Sequence, residues 1–325
     1  MEPSPPPPGA VPAPTLSLVV PVFNEAANLP RFIERAGRAL DALGLPWEIV
    51  CVDDGSTDAS LVTLLTARER DPRIVVVELS RNFGKEVALA AGLDHARGEA
   101  VIPIDADLQH PPEVIGEMVA QWRAGFDMVV AVRRNFRQEG LARRAASALF
   151  DRMFRRLSQV ALPPGAGDFR LLSGPVVAAL RQLPERSRFM KGLYAWVGFR
   201  YATVPYAVEP RADGRSGHGF GRLWRLAIDG ITAFSALPLK LWSGLGLVFA
   251  LIAIAYGAYL VVQTLVNGIA LPGYASTITL ILFFGGLQLL SLGVLGEYVA
   301  RIYDEVKARP LYVVRARHGC AARVA

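Results

Sequence analysis

Two aspartates with a short spacing are the first candidates for chemistry. Asp105 and Asp107 follow the apolar run Val101 to Ile104 with one residue between them. If that run is a strand, this spacing sends both carboxylates to the same side of the chain, and Gln109 is nearby. Hard oxygen ligands suit Mg²⁺ or Mn²⁺, the ions that bridge diphosphates. Two aspartates alone also fit a solvated turn.

A second acidic pair, Asp53 and Asp54, opens the stretch D-D-G-S-T-D after another apolar run. A tight turn with a helix N-cap explains the glycine and one of the polar residues that follow. It does not explain two adjacent carboxylates. Acceptors at a strand end could bind the N–H of a uracil and the hydroxyls of a ribose, so the pair is a candidate nucleotide site.

These clusters require elements that bring them together. Between residues 16 and 132, short β-branched runs alternate with helical stretches, which predicts a parallel sheet covered by helices. The predicted strands are Leu16–Val20, Trp47–Val52, Ile74–Glu78, Ala100–Ile104 and Asp127–Val132. The predicted helices are Ala27–Leu43, Ala59–Arg70, Lys85–Ala96 and Pro111–Ala124. Ligands bind at the carboxyl ends of the strands in such sheets, so we expect the acidic pairs to share one edge.

Arginine is concentrated after the last of these strands. From Arg133 to Arg156 there are eight arginines against Glu139 and Asp151, in a chain whose net charge is +6. Clustered arginine favours phosphate groups or an anionic lipid surface as partners. No zinc, helix-turn-helix or RNA-binding motif accompanies the cluster, which argues against nucleic acid.

The C-terminal part predicts membrane insertion. No Asp, Glu, Lys, Arg or His lies between Lys240 and Glu297. Two spans fit, about 244–266 and 275–296, because roughly 20 residues cross a hydrocarbon core of about 30 Å. Basic residues flank the pair and the connecting turn has none, which places both ends in the cytoplasm. Two buried helices of a soluble protein would need a polar face, and neither segment has one.

The remaining boundaries follow from composition. Residues 1–14 are rich in proline and lack the features of a signal peptide, so we expect a disordered tail. Residues 15–221 form the expected cytoplasmic catalytic domain, and 301–325 a cytoplasmic tail. Residues 222–240 have helical apolar spacing that fits a core helix or an interfacial helix, and their position before the spans favours the interface.

Six motifs carry a joint resemblance: P-V-F-N-E (21–25), V-D-D-G-S-T-D (52–58), L-S-R-N-F-G-K-E (79–86), I-D-A-D-L-Q-H-P-P-E (104–113), G-D-F-R-L-L (167–172) and L-G-E-Y-V-A-R-I-Y-D-E-V-K (295–307). The chain resembles family 2 inverting glycosyltransferases, specifically those that act on polyprenyl phosphates, such as dolichyl-phosphate-mannose synthases and bactoprenol glucosyltransferases. The resemblance implies a GT-A-like α/β domain with a mainly parallel sheet, juxtamembrane amphipathic helices and a C-terminal two-helix transmembrane hairpin.

The resemblance also implies roles on the donor side. It assigns the nucleotide to Pro21, Glu25, Asp53 and Asp54, with Lys85 approaching the nucleotide, although a helix-surface lysine is the simpler interpretation of Lys85. The backbone of Ala106 is expected near the ribose. Asp105, Asp107 and Gln109 are expected to hold Mg²⁺ or Mn²⁺ against the diphosphate.

On the acceptor side, Arg133 and Arg144 are similar in placement to the family's acceptor-phosphate arginines, and Arg170 is a third candidate. Arginine suits this role because its planar guanidinium can hold two phosphate oxygens. A solvated or lipid-facing arginine remains an alternative for each. Asp168 resembles the proposed catalytic base, or else orients the acceptor. A strong base is not required, because the second pKa of a phosphate monoester lies near 6.

The expected function is inverting transfer of a sugar, glucose favoured, from a UDP-sugar to a polyprenyl phosphate at the inner membrane. Mannose, N-acetylhexosamine and aminoarabinose remain alternatives, as does a non-catalytic lipid-binding scaffold. A processive polysaccharide synthase would need a Q-x-x-R-W motif, which is absent. Relatives favour a homo-oligomer, namely a tetramer. His110 is expected to be a surface residue at a helix entry and not a metal ligand.

Overall fold

The computed structural model describes residues 14–133, 166–183, 185, 190–207, 237–267 and 273–319. The chain divides into two compact units. One comprises Met1–Trp224 with Pro310–Ala325, and the other comprises Arg225–Arg309. The predicted N-terminal tail up to residue 13, most of the arginine-rich segment including Arg144, and residues 222–236 of the predicted interfacial helix lie outside the described residues.

The first unit is built on one eight-stranded sheet with the order β7-β5-β6-β4-β1-β2-β3-β8. Its strands are β1 Leu16–Val22, β2 Trp47–Asp53, β3 Ile74–Leu79, β4 Ala100–Pro103, β5 Met128–Arg133, β6 Ala166–Ser173, β7 Tyr201–Tyr206 and β8 Val314–His318. The first four are mutually parallel, with β1 between β2 and β4. The parallel sheet predicted from alternating strands and helices is therefore confirmed.

Three strands were not predicted. β6 runs antiparallel between β4 and β5, and β7 pairs in parallel with the outer side of β5. β8 pairs antiparallel with β3. Residues 314–318, predicted as part of a C-terminal tail, thus complete the far end of the sheet. Tyr312 secures this return, since its hydroxyl donates to Asp94 at 2.9 Å.

Helices cover the sheet. They are α1 Leu29–Asp41, α2 Ser60–Arg70, α3 Lys85–His95, a 3₁₀ turn Pro112–Val114 that leads into α4 Ile115–Arg123, α5 Gly174–Gln182 and α6 Met190–Trp196. α1 shows why they pack: Leu29, Phe32, Ala36 and Leu40 recur at helical spacing and are all fully buried. The four helices predicted between residues 27 and 124 are present with shifted ends.

The second unit contains a helical hairpin, α7 Leu237–Asn267 and α8 Tyr274–Val306. Within the described residues, one segment is long and apolar enough to cross a membrane: Phe283–Val306, with 24 residues and a mean hydropathy of 1.3. The hairpin expected from the uncharged region is present. Its insertion as two spans, about 244–266 and 275–296, stays a prediction.

Candidate active site

The loops after β1 and β2 are tied to each other by hydrogen bonds. Asn24, at a φ of 55°, accepts the backbone N–H of Thr57 at 2.8 Å through its side-chain oxygen. The N–H of Glu25 donates to Ser60 at 2.8 Å, and that of Ala26 donates to Asp58 at 3.1 Å. Pro21 lies on β1 beside this connection, opposite Val52. The two motifs expected to bind a nucleotide therefore form one structural edge.

Asp53 and Asp54 are both buried but differ in their contacts. One oxygen of Asp53 accepts the N–H of Ser56 at 3.4 Å, whereas its Oδ1 has no partner among the described residues. Burial raises the pKa of the Asp53 carboxyl above its ordinary value. A buried acceptor without a donor is costly unless a ligand supplies one, so Asp53 fits the predicted nucleotide contact.

Asp54 is instead occupied by the neighbouring loop. Its two carboxylate oxygens accept the N–H groups of Phe83 at 2.7 Å and Gly84 at 2.9 Å. Gly55, at a φ of 69°, packs so closely on this loop that a Cβ would lie 2.6 Å from the carbonyl carbon of Arg81. Asp54 thus fixes the segment that leads into α3, and its direct contact with a nucleotide stays a prediction.

The acidic strip after β4 alternates as expected. Asp105, Asp107 and Gln109 are partly exposed, whereas Ala106, Leu108 and His110 between and after them are buried. Asp107 accepts the N–H of Gln109 at 3.1 Å. Leu108 has a φ of 61°, which lies in the left-handed region and is a strained value for a residue with a Cβ. Asp53, Asp105 and Asp107 are called the donor edge below.

Lys85 joins this edge to β6. Its ammonium lies 2.7 and 2.8 Å from the two carboxylate oxygens of Asp105 and 3.1 Å from Oδ2 of Asp168. Burial alone would lower the pKa of Lys85, but the two carboxylates raise it above its ordinary range, so the side chain stays charged. Three residues predicted from separate motifs are therefore in direct contact.

The second side of the site is the β6 wall, which consists of Asp168, Arg170, Tyr194 and Glu86. Burial raises the pKa of Asp168, but the charges of Lys85, Lys191 and Arg170 outweigh it and lower the pKa to about 2. A carboxylate with so low a pKa is a weak proton acceptor at neutral pH. Asp168 is therefore ionised at neutral pH, and its role as a catalytic base or as an orienting group stays a prediction.

Arg170 lies inside the wall, with 2% of its surface exposed. Its guanidinium stacks on Tyr194, 4.0 Å from the ring centroid, and donates to the carbonyl of Gly167. A phosphate would have to reach an almost inaccessible side chain. The acceptor-phosphate role of Arg170 stays a prediction, and its observed contacts hold the segment that carries Asp168.

Glu86 was missed as a site residue. Burial and the negative charge of Asp168 raise its pKa to about 7, and its carboxylate accepts the N–H of Met190 at 3.2 Å. The only signal in the sequence was its place after Lys85 in the motif that ends N-F-G-K-E. Because β6 was not predicted, nothing indicated that Asp168 would face this carboxyl.

His110 is buried, which corrects its expected place on the surface. Its ring stacks on Phe169 of β6, and Nδ1 lies 2.8 Å from the hydroxyl of Tyr206. Nε2 is 3.9 Å from Asp105, and burial lowers the pKa of the imidazole. Arg133 lies beside Tyr206 in the β5–β7 register and hydrogen-bonds it. His110, Phe169 and Tyr206 thus form an aromatic layer next to the acidic strip.

A divalent cation fits the donor edge by the chemistry of its ligands. Among the described residues, no group of three His, Cys, Asp or Glu side chains converges on one point. Mg²⁺ commonly uses one or two carboxylates and takes its other ligands from phosphate and water. Asp105 and Asp107 with the amide of Gln109 satisfy that pattern, and the Lys85 ammonium shows that a cation is attracted to Asp105.

Comparison with known proteins identifies the family. Residues 17–176 match the model of glycosyl transferase family 2. An uncharacterised glycosyltransferase of Synechocystis is 49% identical over 92% of this chain and 94% of its own length. The SfII prophage-derived bactoprenol glucosyl transferase of Shigella flexneri is 45% identical over 93% of this chain and 98% of its length. The chain belongs to glycosyltransferase family 2.

Other matches concern the hairpin and the fold. Residues 237–302 match the family model of the GtrB C-terminal hairpin, which coincides with α7 and most of α8. The structure of glucosyl-3-phosphoglycerate synthase from Mycobacterium tuberculosis, in complex with Mn²⁺, UDP-glucose and phosphoglyceric acid, has a TM-score of 0.47 and 21% identity over 67% of this chain and 78% of that one. The family 2 assignment makes this chain a glycosyltransferase with a GT-A fold and a C-terminal hairpin.

Proposed function

We propose that this glycosyltransferase moves glucose from UDP-glucose to the phosphate of a polyprenyl phosphate with inversion at the anomeric carbon. The observation that carries the proposal is the 45% identity, over 93% of this chain, to a Shigella flexneri protein named bactoprenol glucosyl transferase. The geometry of the donor edge supports it, because β2 and β4 are both parallel to β1, so the acidic motifs that follow them lie at the same edge of the sheet.

The donor edge extends across three neighbouring strands, β2, β1 and β4. β1 separates β2 from β4, so the ends of these two strands are about 10 Å apart. The unpartnered oxygen of Asp53 would accept the N–H of the base at one end. Asp105 and Asp107 face the diphosphate at the other. In this proposal, the surface between these two ends is formed by Pro21, Glu25 and the backbone of Ala106.

Asp105, Asp107 and Gln109 would hold Mg²⁺ or Mn²⁺ at the diphosphate. When bound, such an ion supplies positive charge that stabilises the departing diphosphate. The aspartates would present anionic oxygens that are partly exposed, next to the buried layer of His110, Phe169 and Tyr206.

The acceptor phosphate is its own nucleophile. One of its oxygens forms a bond to the anomeric carbon from one face while the bond from that carbon to the UDP oxygen breaks on the other, and the electron pair leaves with UDP. With a second pKa near 6 the phosphate is largely dianionic at neutral pH, so no proton has to be removed. Asp168 then orients the reactants, and Arg133 and Arg144 attract the phosphate.

For location, we infer that the hairpin inserts in the inner membrane and that the catalytic unit is cytoplasmic, where both substrates meet. The uncharged stretch between Lys240 and Glu297 and the apolar segment Phe283–Val306 support membrane contact. A homo-oligomer, with a tetramer favoured, is part of the same proposal.

The test is transfer by the purified full-length protein in detergent. It is incubated with a polyprenyl phosphate, Mn²⁺ and, in parallel, UDP-glucose, UDP-N-acetylglucosamine, GDP-mannose and a UDP-aminoarabinose, and the lipid product is identified by mass spectrometry. From UDP-glucose we expect a hexosyl lipid. NMR of this product should show that the configuration at the anomeric carbon is inverted. A different preferred donor would correct the sugar, and release of free sugar without a lipid product would contradict the acceptor.

A further inference from the structure

The Lys85 ammonium occupies the position from which a cation would bind Asp105. Both carboxylate oxygens of Asp105 lie within 2.8 Å of Nζ, so the charge of this aspartate is already compensated. The remaining contact of Nζ, to Asp168 at 3.1 Å, connects the donor edge to the β6 wall. One lysine is therefore shared by a carboxylate on each side of the site.

The backbone that carries Lys85 is held by the neighbouring loop, and its side chain is held by ion pairs at a solvent-accessible position. Lys85 is the first residue of α3 and follows Gly84, whose φ of 98° suits only glycine well. The N–H groups of Phe83 and Gly84 are held by Asp54 at the end of β2. The Lys85 side chain has 43% of its surface exposed, so solvent and ligands can reach the ammonium while it is paired.

A divalent ion and this ammonium compete for the same oxygens. An ion that binds Asp105 either displaces Nζ or lies next to it. If it lies next to Nζ, the two positive charges repel each other strongly, because the site is partly desolvated. A diphosphate changes the balance, because its negative oxygens offer Nζ new acceptors and supply the ion with further ligands. Nζ can leave Asp105 and still keep its contact with Asp168.

We propose that Lys85 is a built-in counter-cation that keeps free divalent metal off Asp105 and makes metal binding conditional on the nucleotide. This rests on the proposed donor site. The structure then predicts positive coupling between metal and UDP, of which Lys85 is the main source. By linkage, the factor by which UDP tightens Mn²⁺ binding equals the factor by which Mn²⁺ tightens UDP binding.

The experiment measures Mn²⁺ binding to full-length protein in detergent by electron paramagnetic resonance, with and without saturating UDP. In Lys85→Met we expect the Kd for Mn²⁺ without UDP to fall about tenfold, and the enhancement by UDP to shrink by a similar factor. Lys85→Arg keeps the charge and should retain weak binding without UDP. Lys191→Met is the matched control, since Lys191 also acts on Asp168 but has no described contact with Asp105.

The outcomes separate this inference from the proposed function. If Lys85→Met binds Mn²⁺ no more tightly than wild type without UDP, or if Lys191→Met gives the same gain, the counter-cation role is wrong. If wild type binds no Mn²⁺ even with UDP, and Asp105→Asn behaves identically, the donor site itself is wrong. Circular dichroism and the thermal unfolding midpoint verify that each variant is folded, and Lys85→Gln replaces Lys85→Met if the latter is not.

Discussion

The donor edge and the β6 wall are two acidic surfaces that share one lysine, yet they are built differently. The donor edge consists of side chains that follow parallel strands and remain partly exposed at Asp105 and Asp107. In the wall, Asp168 and Arg170 lie on the antiparallel strand β6 and are packed against Tyr194 and Glu86. Both surfaces contact the Lys85 ammonium, but the wall also contains a buried cation of its own, Arg170, whereas Asp105 and Asp107 of the donor edge stay partly exposed.

The largest effect is expected from removing charge at the donor edge. Asp107→Ala should lower kcat/KM by about 10³-fold with folding intact, because the diphosphate then departs without full charge compensation. Asp107→Asn keeps an acceptor for the N–H of Gln109 and should lose nearly as much activity. Transfer of radiolabelled glucose to lipid measures both. Near-normal turnover in the asparagine variant would show that Asp107 acts structurally and not through its charge.

Removing the charge of Asp168 in the wall should lower turnover less than removing that of Asp107, and this loss of turnover should not depend on pH. With a pKa of about 2, Asp168 is ionised throughout the range from pH 5 to 8. We expect Asp168→Asn to lower kcat about 10²-fold at every pH in that range, since an orienting anion is lost while the acceptor phosphate still provides the nucleophile. A pH–rate profile whose shape changes in the variant would mean that Asp168 exchanges protons during turnover.

The donor edge and the wall also differ in how far their structure could be predicted from the sequence. Asp105 and Asp107 were predictable, because a strand end followed by alternating polar residues is a local pattern. The burial of Arg170 and His110 was not, because it depends on β6 entering between β4 and β5, a long-range pairing that no local spacing encodes. Asp54 was predictable as a polar residue of the site, but its bonds to Phe83 and Gly84 depend on the packing of two loops.

Within the wall, Glu86 is the group expected to titrate near neutrality. Its pKa is raised from 4.5 to about 7, so the folded state holds this proton more tightly than the unfolded state does. The contribution of Glu86 to stability is therefore present at low pH and is lost as the pH rises from about 4.5 through 7. Glu86→Gln cannot ionise and keeps an acceptor for Met190.

The thermal unfolding midpoint in detergent tests this directly. Glu86→Gln should unfold near the wild-type temperature at pH 4.5 and at a higher temperature at pH 8, and its turnover should change about tenfold or less. Glu117→Gln on the exposed surface of α4 is the matched control for the loss of one carboxylate. If the unfolding midpoints of Glu86→Gln and wild type differ by the same amount at pH 4.5 and pH 8, Glu86 ionises outside this pH range.

The smallest effect on turnover should come from the layer that supports both surfaces. Tyr206→Phe removes the contact of the hydroxyl with His110 at 2.8 Å and leaves a buried ring nitrogen without this partner, which costs about 1–3 kcal/mol of stability. Since no charge at the donor edge or the wall changes, kcat should fall only a few-fold. Tyr201→Phe, on the same strand but 48% exposed, should change neither quantity. A loss of turnover as large as that of Asp168→Asn, at a modest loss of stability, would mean that the layer positions Asp105 as strictly as the wall positions Asp168.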